Sequence, residues 1–431
     1  MTLLNSMYTG VSGLQANGLG ISIVGDNIAN VNTIGFKASR GNFADVLQQT
    51  ILGSAGTPNQ LGGGVRLNNV QQLFTQGMLQ GTSMATDLAI SGAGFFILKG
   101  TVSGVTGNFY SRAGQFTIDK DGYLVNPDGL RVQGYSIAPD GTVQSTLGDL
   151  NLTAVNVPPR PTTEITMTAN LDASASIMTW DPNDPANTSN FSTSITVYDS
   201  LGNAHQVEVY FVKTADNTWE WHAMVDGGEV VGGTPGVPFE IASGQLTFTT
   251  DGELDTEVIN NNTVDFVGAT PGQVIDFDFG DSITTDGGTG LAGTTQFASP
   301  SSINFQSQDG FATGTLQMVT VTPDGMIMGT FSNGEVRPVA QIALATFQST
   351  EGLDRLGNNL FTESRASGEP LVGAANTGNR GTIHAYNLEL SNVDLAEQFV
   401  HLIALQRGFQ SNAKVINTAD QMLGEVLNIK R

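Results

Sequence analysis

Apolar side chains recur near the start of the chain at Leu4, Met7, Val11, Leu14, Ile21 and Ile28. Steps of three, four and seven place them on one face of an α-helix. Gly18 and Gly25 fall where that stripe would continue. Small residues there permit close backbone approach, at some cost in helix propensity. The remaining surface carries Asn5, Ser12, Asn17, Ser22 and Asp26. It is polar but almost uncharged, as in a helix packed on several sides. At the other end, Leu395, Leu402, Phe409, Ile416 and Leu423 recur every seven residues. Phe399, Ala413 and Leu427 form a second row, interrupted by Gln406 and Asp420. The pattern predicts a coiled-coil-like helix. Ser391-Asn-Val-Asp394 has the spacing of a capping box at its start. Lys430 and Arg431 stand at its end, where the helix dipole favours cations.

Between these ends the pattern turns to short alternating runs separated by Asp121-Gly122, Asp128-Gly129, Asp140-Gly141, Asp251-Gly252 and Asp324-Gly325. Such pairs are hairpin and turn signals. Tyr198 to Lys213 predicts two strands around Asp199-Ser-Leu-Gly-Asn203, and Thr218 to Val225, with Trp219 and Trp221 on one side, a third. The expected class is α+β: paired terminal helices plus two mainly antiparallel β domains, the outer inserted in the inner. The expected boundaries are 1–30 with 385–431 for the helices and 31–72 for a connecting segment. An inner β domain takes 73–150 with 303–384, and an inserted one 151–302. Pro158-Pro159-Arg160-Pro161 and Ser299-Pro300 mark the ends of the insertion.

Charge changes this picture. The chain of 431 residues has a net charge of −23. Residues 151–302 contain 20 Asp and Glu against Arg160 and Lys213, a net −18, whereas residues 1–36 hold one charged side chain, Asp26. The acidic middle argues against a nucleic-acid partner, which needs clustered Lys and Arg. The nearly uncharged start reads as a surface made for burial. Ordering both terminal segments costs more than burying the two stripes against each other returns. Further neighbours are therefore expected, from the β domains or from other copies. Contacts between unlike faces of successive copies do not close and generate a helical tube.

Candidate chemistry adds little. The absence of cysteine excludes disulfides and thiolate metal sites. Lys37 is the first basic residue, so no secretory signal peptide is expected, and no apolar run is long enough to span a membrane. Gly288-Thr-Gly-Leu-Ala-Gly293 has dinucleotide-site spacing, but no helix pattern follows it. His205, His222, His384 and His401 lack metal-ligand spacing. Asp119-Lys-Asp-Gly122 reads as a turn rather than a calcium loop. No catalytic, metal or cofactor residue is assigned, and an enzyme is not expected. A secreted carbohydrate-active or adhesive β protein is the reading from another class.

Several stretches carry a resemblance. Ser12-Gly-Leu-Gln-Ala16, Asn27-Ile-Ala-Asn30 and Asn32-Thr-Ile-Gly-Phe-Lys37 resemble the N-terminal signature of the flagellar rod and hook axial proteins. Ile90-Ser-Gly-Ala-Gly-Phe-Phe96 and Tyr110-Ser-Arg-Ala-Gly-Gln-Phe116 look like the family's next block. Leu390-Ser-Asn-Val-Asp-Leu395, Gln406-Arg407 and Asn412-Ala-Lys-Val-Ile416 are similar to its C-terminal signature. The motif residues are thus Asn27, Asn30, Asn32, Thr33, Gly35, Phe36, Ser391, Asn392, Val393, Asp394, Gln406 and Arg407. Tyr198-Asp-Ser-Leu-Gly-Asn203, Asp309-Gly-Phe311, Gly314-Thr-Leu316, Gly329-Thr-Phe-Ser-Asn-Gly334 and Leu344-Ala-Thr-Phe347 look like the hook branch of the family. Phe331 stands where Tyr is commoner.

The resemblance implies a structural subunit that self-assembles into a curved, flexible tube, transmits torque from rod to filament and encloses an export channel. A distal rod or other axial subunit is the alternative. It implies a homopolymer as principal partner, together with rod, hook-capping and hook-filament junction proteins and the flagellar export apparatus. It implies an extracellular place in the flagellum, reached without a cleaved signal, with neither membrane insertion nor nucleic acid. The subunit-packing residues expected are Leu4, Met7, Val11, Leu14, Ile21, Ile28, Leu395, Phe399, Leu402, Phe409, Ile416 and Leu423.

Overall fold

The structure, a computed structural model, describes residues 2–52, 58–102, 104–138, 141–152 and 157–429. It is α+β and divides into two compact units. The first comprises residues 1–155, 317–330 and 336–431, the second 156–316 and 331–335.

In the first unit, helix α1 (Thr2–Ala29) pairs with helix α2 (Leu395–Ile429). A Cβ at Gly10 would stand 2.9 Å from Ile416, one at Gly13 2.7 Å from Asn412, and one at Gly20 2.9 Å from Leu405. Asn27 bonds Gln398 at 3.1 Å. Rising numbers on α1 meet falling numbers on α2, so the pair is antiparallel. Helix α1 leads into β1 (Ser39–Leu52), which pairs antiparallel with β2 (Pro58–Gln72). The sequence suggested only a connection here. Register shifts at Asn42/Phe43, Asp45/Leu47 and Leu47/Gln49 break the period of two by which strands are recognised. The hairpin lies on α1, where Val65 N donates to Ser12 Oγ at 3.2 Å.

The rest of this unit is a sheet built around Val336–Thr346. That strand pairs antiparallel with Met326–Phe331, Arg131–Ile137, Phe95–Val102 and Leu371–Ala374. Phe95, Ile97, Tyr110, Ala343, Ala345 and Phe361 are buried together. Phe74, Phe95 and Phe361 meet edge to face at 5.5–5.9 Å, an arrangement favoured by the ring quadrupoles.

The second unit carries a five-stranded antiparallel meander: Phe191–Tyr198, Ala204–Ala215, Thr218–Asp226, Pro238–Phe248 and Leu254–Asn261. Trp219 and Trp221 alternate inward as expected and are fully buried. They share a core with Phe211, Phe277, Phe279 and, from a three-stranded sheet, Ile165 and Met167. The turn glycines Gly122, Gly129, Gly141, Gly252 and Gly325 all have positive φ, near 80°, which only glycine adopts without strain. The Ser299-Pro300 boundary is displaced. Ser302–Gln308 pairs with Glu164–Asn170 inside the second unit, which runs on to residue 316. The proline marks a loop between strands of one sheet rather than an exit from it.

Candidate functional site: the paired terminal helices and their junction

On the α1 side the helix seam is lined mostly by small residues, which meet Ile416, Asn412 and Leu405 of α2. Among the described residues of α1, Gly10, Gly13, Ala16, Gly20, Val24 and Asn27 are buried. Asn17 Nδ2 donates to Gly13 O at 2.7 Å, and Asn412 Nδ2 to Gly408 O at 3.0 Å. Each asparagine also lies against the glycine of the other helix. Backbones can approach closely at such positions.

Ile416, over Gly10, is the stripe residue that enters this seam; much of the rest of the apolar stripes lies outside it. Leu4 and Val11 are exposed, and Met7, Leu14, Ile21 and Ile28 are half-buried. On α2, Leu402, Ile416 and Leu423 are half-buried, while Leu395, Phe399 and Phe409 are exposed. A strict seven-residue repeat drifts by about 20° per heptad around a straight helix. The stripe therefore leaves the seam toward the start of α2. Gly18 and Gly25, expected to bring backbones together, face open space with nothing within 4 Å of a Cβ. Gly10, Gly13 and Gly20 do that instead. Exposed Tyr8, Leu19, Val400, Ile403, Val415 and Met422 extend the apolar surface. They lie outside the rows read from the sequence, although Val415 and Met422 are themselves seven residues apart. Lys430 and Arg431 lie outside the described residues, as does the side chain of Leu427.

Most of the motif residues gather at the base of the helices, while Gln406 and Arg407 lie within α2. Asn27, 1% exposed, donates to Ser39 O at 2.8 Å and accepts from Ser39 N at 2.8 Å. Asn30 Nδ2 donates to Asp26 O at 2.8 Å, and Thr33 Oγ1 donates to Asn30 Oδ1 at 3.1 Å. Gly35, with φ +71°, donates its N–H to Glu389 O at 2.7 Å; a Cβ there would stand 2.6 Å from Ala113 N. Phe36 is buried beneath the Arg355 guanidinium. Asn392 accepts from Ala38 N at 2.7 Å and donates to Leu73 O at 2.7 Å. Asn32, Gln406 and Arg407 are exposed, and Val393 is half-buried.

The cap of α2 differs from the expected box. Asp394, not Ser391, is the N-cap: its carboxylate accepts from Ala396 N at 2.8 Å and Glu397 N at 3.3 Å. Ser391 accepts only from Val393 N, at 3.4 Å. The chain needs residues 391–393 to cross the junction before the helix can start.

Beneath this lies a buried ion cluster that no sequence pattern announced. Lys37 Nζ stands 2.6 Å from Glu389 Oε1, both side chains fully buried, and Arg112 Nη1 is 3.4 Å from Glu389 Oε2. Lys37 also donates to Thr75 O, Arg112 to Gly92 O, and Gly77 N to Glu389. Burial pulls the Lys37 ammonium below its ordinary value; Glu389 opposes this and Arg112 reinforces it. Glu389 thus ties together all three blocks that carry the resemblance.

In the second unit, His205 lies between Glu229 at 2.6 Å and Asp199 at 3.4 Å, stacked on Phe266. His222 bonds Glu240 at 2.7 Å and stacks on Trp180. These contacts hold loops and strands together. Asp119 accepts from Asp121 N and Tyr123 N, a turn as expected. Gly288 to Gly293 lies in a loop that leads to a strand, not to a helix. Among the described residues no helix is long and apolar enough to cross a membrane.

A helix pair with exposed apolar faces, locked to a β body by an ion cluster, defines a structural subunit of the self-assembling kind. Residues 7–37 match the family described as flagella basal body rod protein, and 385–429 the flagellar basal body rod FlgEFG protein C-terminal. Residues 89–172 match the flagellar hook protein FlgE/F/G D1 domain, and 167–311 the flagellar basal body protein FlaE D2 domain. The flagellar hook protein FlgE of Borreliella burgdorferi is 36% identical, covering 99% of this chain and 100% of the relative. That of Treponema pallidum is 34% identical over 100% of both chains, and that of Escherichia coli 35% over 97% and 98%. The chain belongs to the flagellar hook protein family and is a structural component of the bacterial flagellum.

Proposed function

We propose that the chain works as a hook subunit by polymerising through the apolar faces of α1 and α2 into a curved, flexible tube. The twelve stripe residues form the continuous grip, and the helices line the export channel. The β part of the first unit surrounds them. Weak, wet contacts between copies of the acidic second unit can break and reform during rotation. The partners are other copies, rod, hook-capping and hook-filament junction proteins, and the export apparatus that delivers the chain without a cleaved signal. The role is mechanical; no catalytic residue enters it.

The observation that carries this reading is that Leu4, Val11, Leu395, Phe399 and Phe409 are exposed although the α1/α2 seam is already closed by other contacts. Apolar surface of this kind marks an interaction site. Electron microscopy after salt-induced polymerisation tests it, with a Val11→Ser/Phe399→Ser/Phe409→Ser variant alongside. Curved tubes from the natural chain, and folded monomer from the variant, are expected. Straight tubes indicate the rod-type alternative. Tubes from both sequences overturn the assigned grip.

A further inference from the structure

The start of α2 presents Leu395, Phe399, Val400 and Ile403, which are 40%, 49%, 67% and 51% exposed. In a polymer such a face requires a cover. Another α2 is a poor one. Glu397, His401, Arg407, Lys414, Asp420 and Glu425 are distributed along it, and bringing two such helices together desolvates charge. Helix α1 offers the opposite chemistry. Its one charged residue, Asp26, is held by Arg355 at 3.2 Å and by Asn30 at 3.0 Å.

The side of α1 turned away from α2 carries Gly18, Ser22, Gly25 and Ala29. Ser22, Gly25 and Ala29 are exposed, and a Cβ at Gly18 or Gly25 meets nothing within 4 Å. The pairs Gly13 with Asn412, Asn17 with Gly408, Gly20 with Leu405 and Asn27 with Gln398 keep one antiparallel register. That register sets Ser22, Gly25 and Ala29 level with Ile403, Val400 and Ala396. Bulky apolar knobs and a shallow uncharged trough therefore occupy the same height on different helices.

We propose that the Leu395, Phe399, Val400 and Ile403 face of α2 in one copy docks on the Gly18, Ser22, Gly25 and Ala29 face of α1 in the next copy. This rests on the reading of the chain as a self-assembling subunit and adds which helix meets which. Large side chains over small ones allow close packing. Because the two faces differ, each copy keeps one of each free, and the contact propagates without closing.

The chain has no cysteine, so cross-linking reads the contact directly. Ser22→Cys and Val400→Cys chains are mixed, polymerised and treated with a short bis-maleimide. A cross-linked dimer is expected from the mixed polymer and from neither chain alone. Dimers from the Val400→Cys chain alone, or from the Ser22→Cys chain alone, show like helices meeting and overturn the proposal. Mixed polymer without cross-links overturns it too, while leaving polymerisation itself intact. A natural chain that stays monomeric removes the underlying reading instead. Should a cysteine variant fail to polymerise, Gly25→Leu decides. It meets no neighbour in the folded chain, so an unchanged circular dichroism spectrum is expected. A rise of about tenfold or more in critical concentration, as for loss of one packed contact, supports the proposal; unchanged assembly overturns it.

Discussion

Asn412 lies so close over Gly13 that a Cβ on the glycine would stand 2.7 Å from the side-chain amide. Asn17 sits over Gly408 in the same way, at 2.7 Å. Each asparagine is held by a hydrogen bond to the carbonyl four residues back in its own helix. The two-helix seam is thus locked by a reciprocal pair of polar knobs on glycine.

Gly13→Ala should therefore destabilise the helix pair despite the better helix propensity of alanine. Asn412→Ala in the same chain should restore part of the loss. The coupling expected for neighbours in contact is about 0.5–3 kcal/mol, read from a double-mutant cycle of denaturant unfolding. Simple additivity would remove the lock.

Glu389 faces two buried cations. Glu389→Ala leaves both uncompensated and should cost about 3–5 kcal/mol. The loss belongs to the unfolding transition of the first unit, while that of the second stays unchanged. Equal shifts in both transitions would contradict a local role.

Asp394 caps α2 through two backbone N–H groups. Asp394→Ala should cost about 0.5–2 kcal/mol and Asp394→Ser much less. Ser391→Ala should be nearly silent. A larger effect at Ser391 than at Asp394 would restore the capping box expected from spacing.

Glu257 in the second unit is pushed up to about 7 from an ordinary 4.5, chiefly by burial, with Asp286 and Asp278 adding to the rise. The folded state therefore holds a proton that the unfolded state has lost between roughly these two values. Stability falls as pH rises through that window, and the loss is complete above it. Thermal melts from pH 4 to 8 should show this slope in the natural chain and a flatter one in Glu257→Gln. Parallel profiles would exclude Glu257 as the cause.

The helices, the Asp-Gly turns and the inward tryptophans were legible because each rests on local periodicity or turn chemistry. The acidic insertion was legible from charge, although its end was placed too early, since Ser302–Gln308 joins its sheet across a long loop. The β1/β2 hairpin was not legible, because bulges erase its alternation. Glu389 was not legible either. Its partners Lys37 and Arg112 lie hundreds of residues away, and nothing in a Leu-Glu-Leu run distinguishes a buried carboxylate from an exposed one.

The amino-acid order by itself determined that both ends are helical, that the first is nearly free of charge, and that an acidic β insertion separates them. Those properties depend on neighbours within a few turns of chain. Only the tertiary structure decided which face of each helix is already occupied. A repeat of seven cannot follow a helix of 3.6 residues per turn along a straight seam. The close contact therefore fell to Gly10, Gly13 and Gly20, on which Ile416, Asn412 and Leu405 sit, and much of the apolar stripe was left outside it.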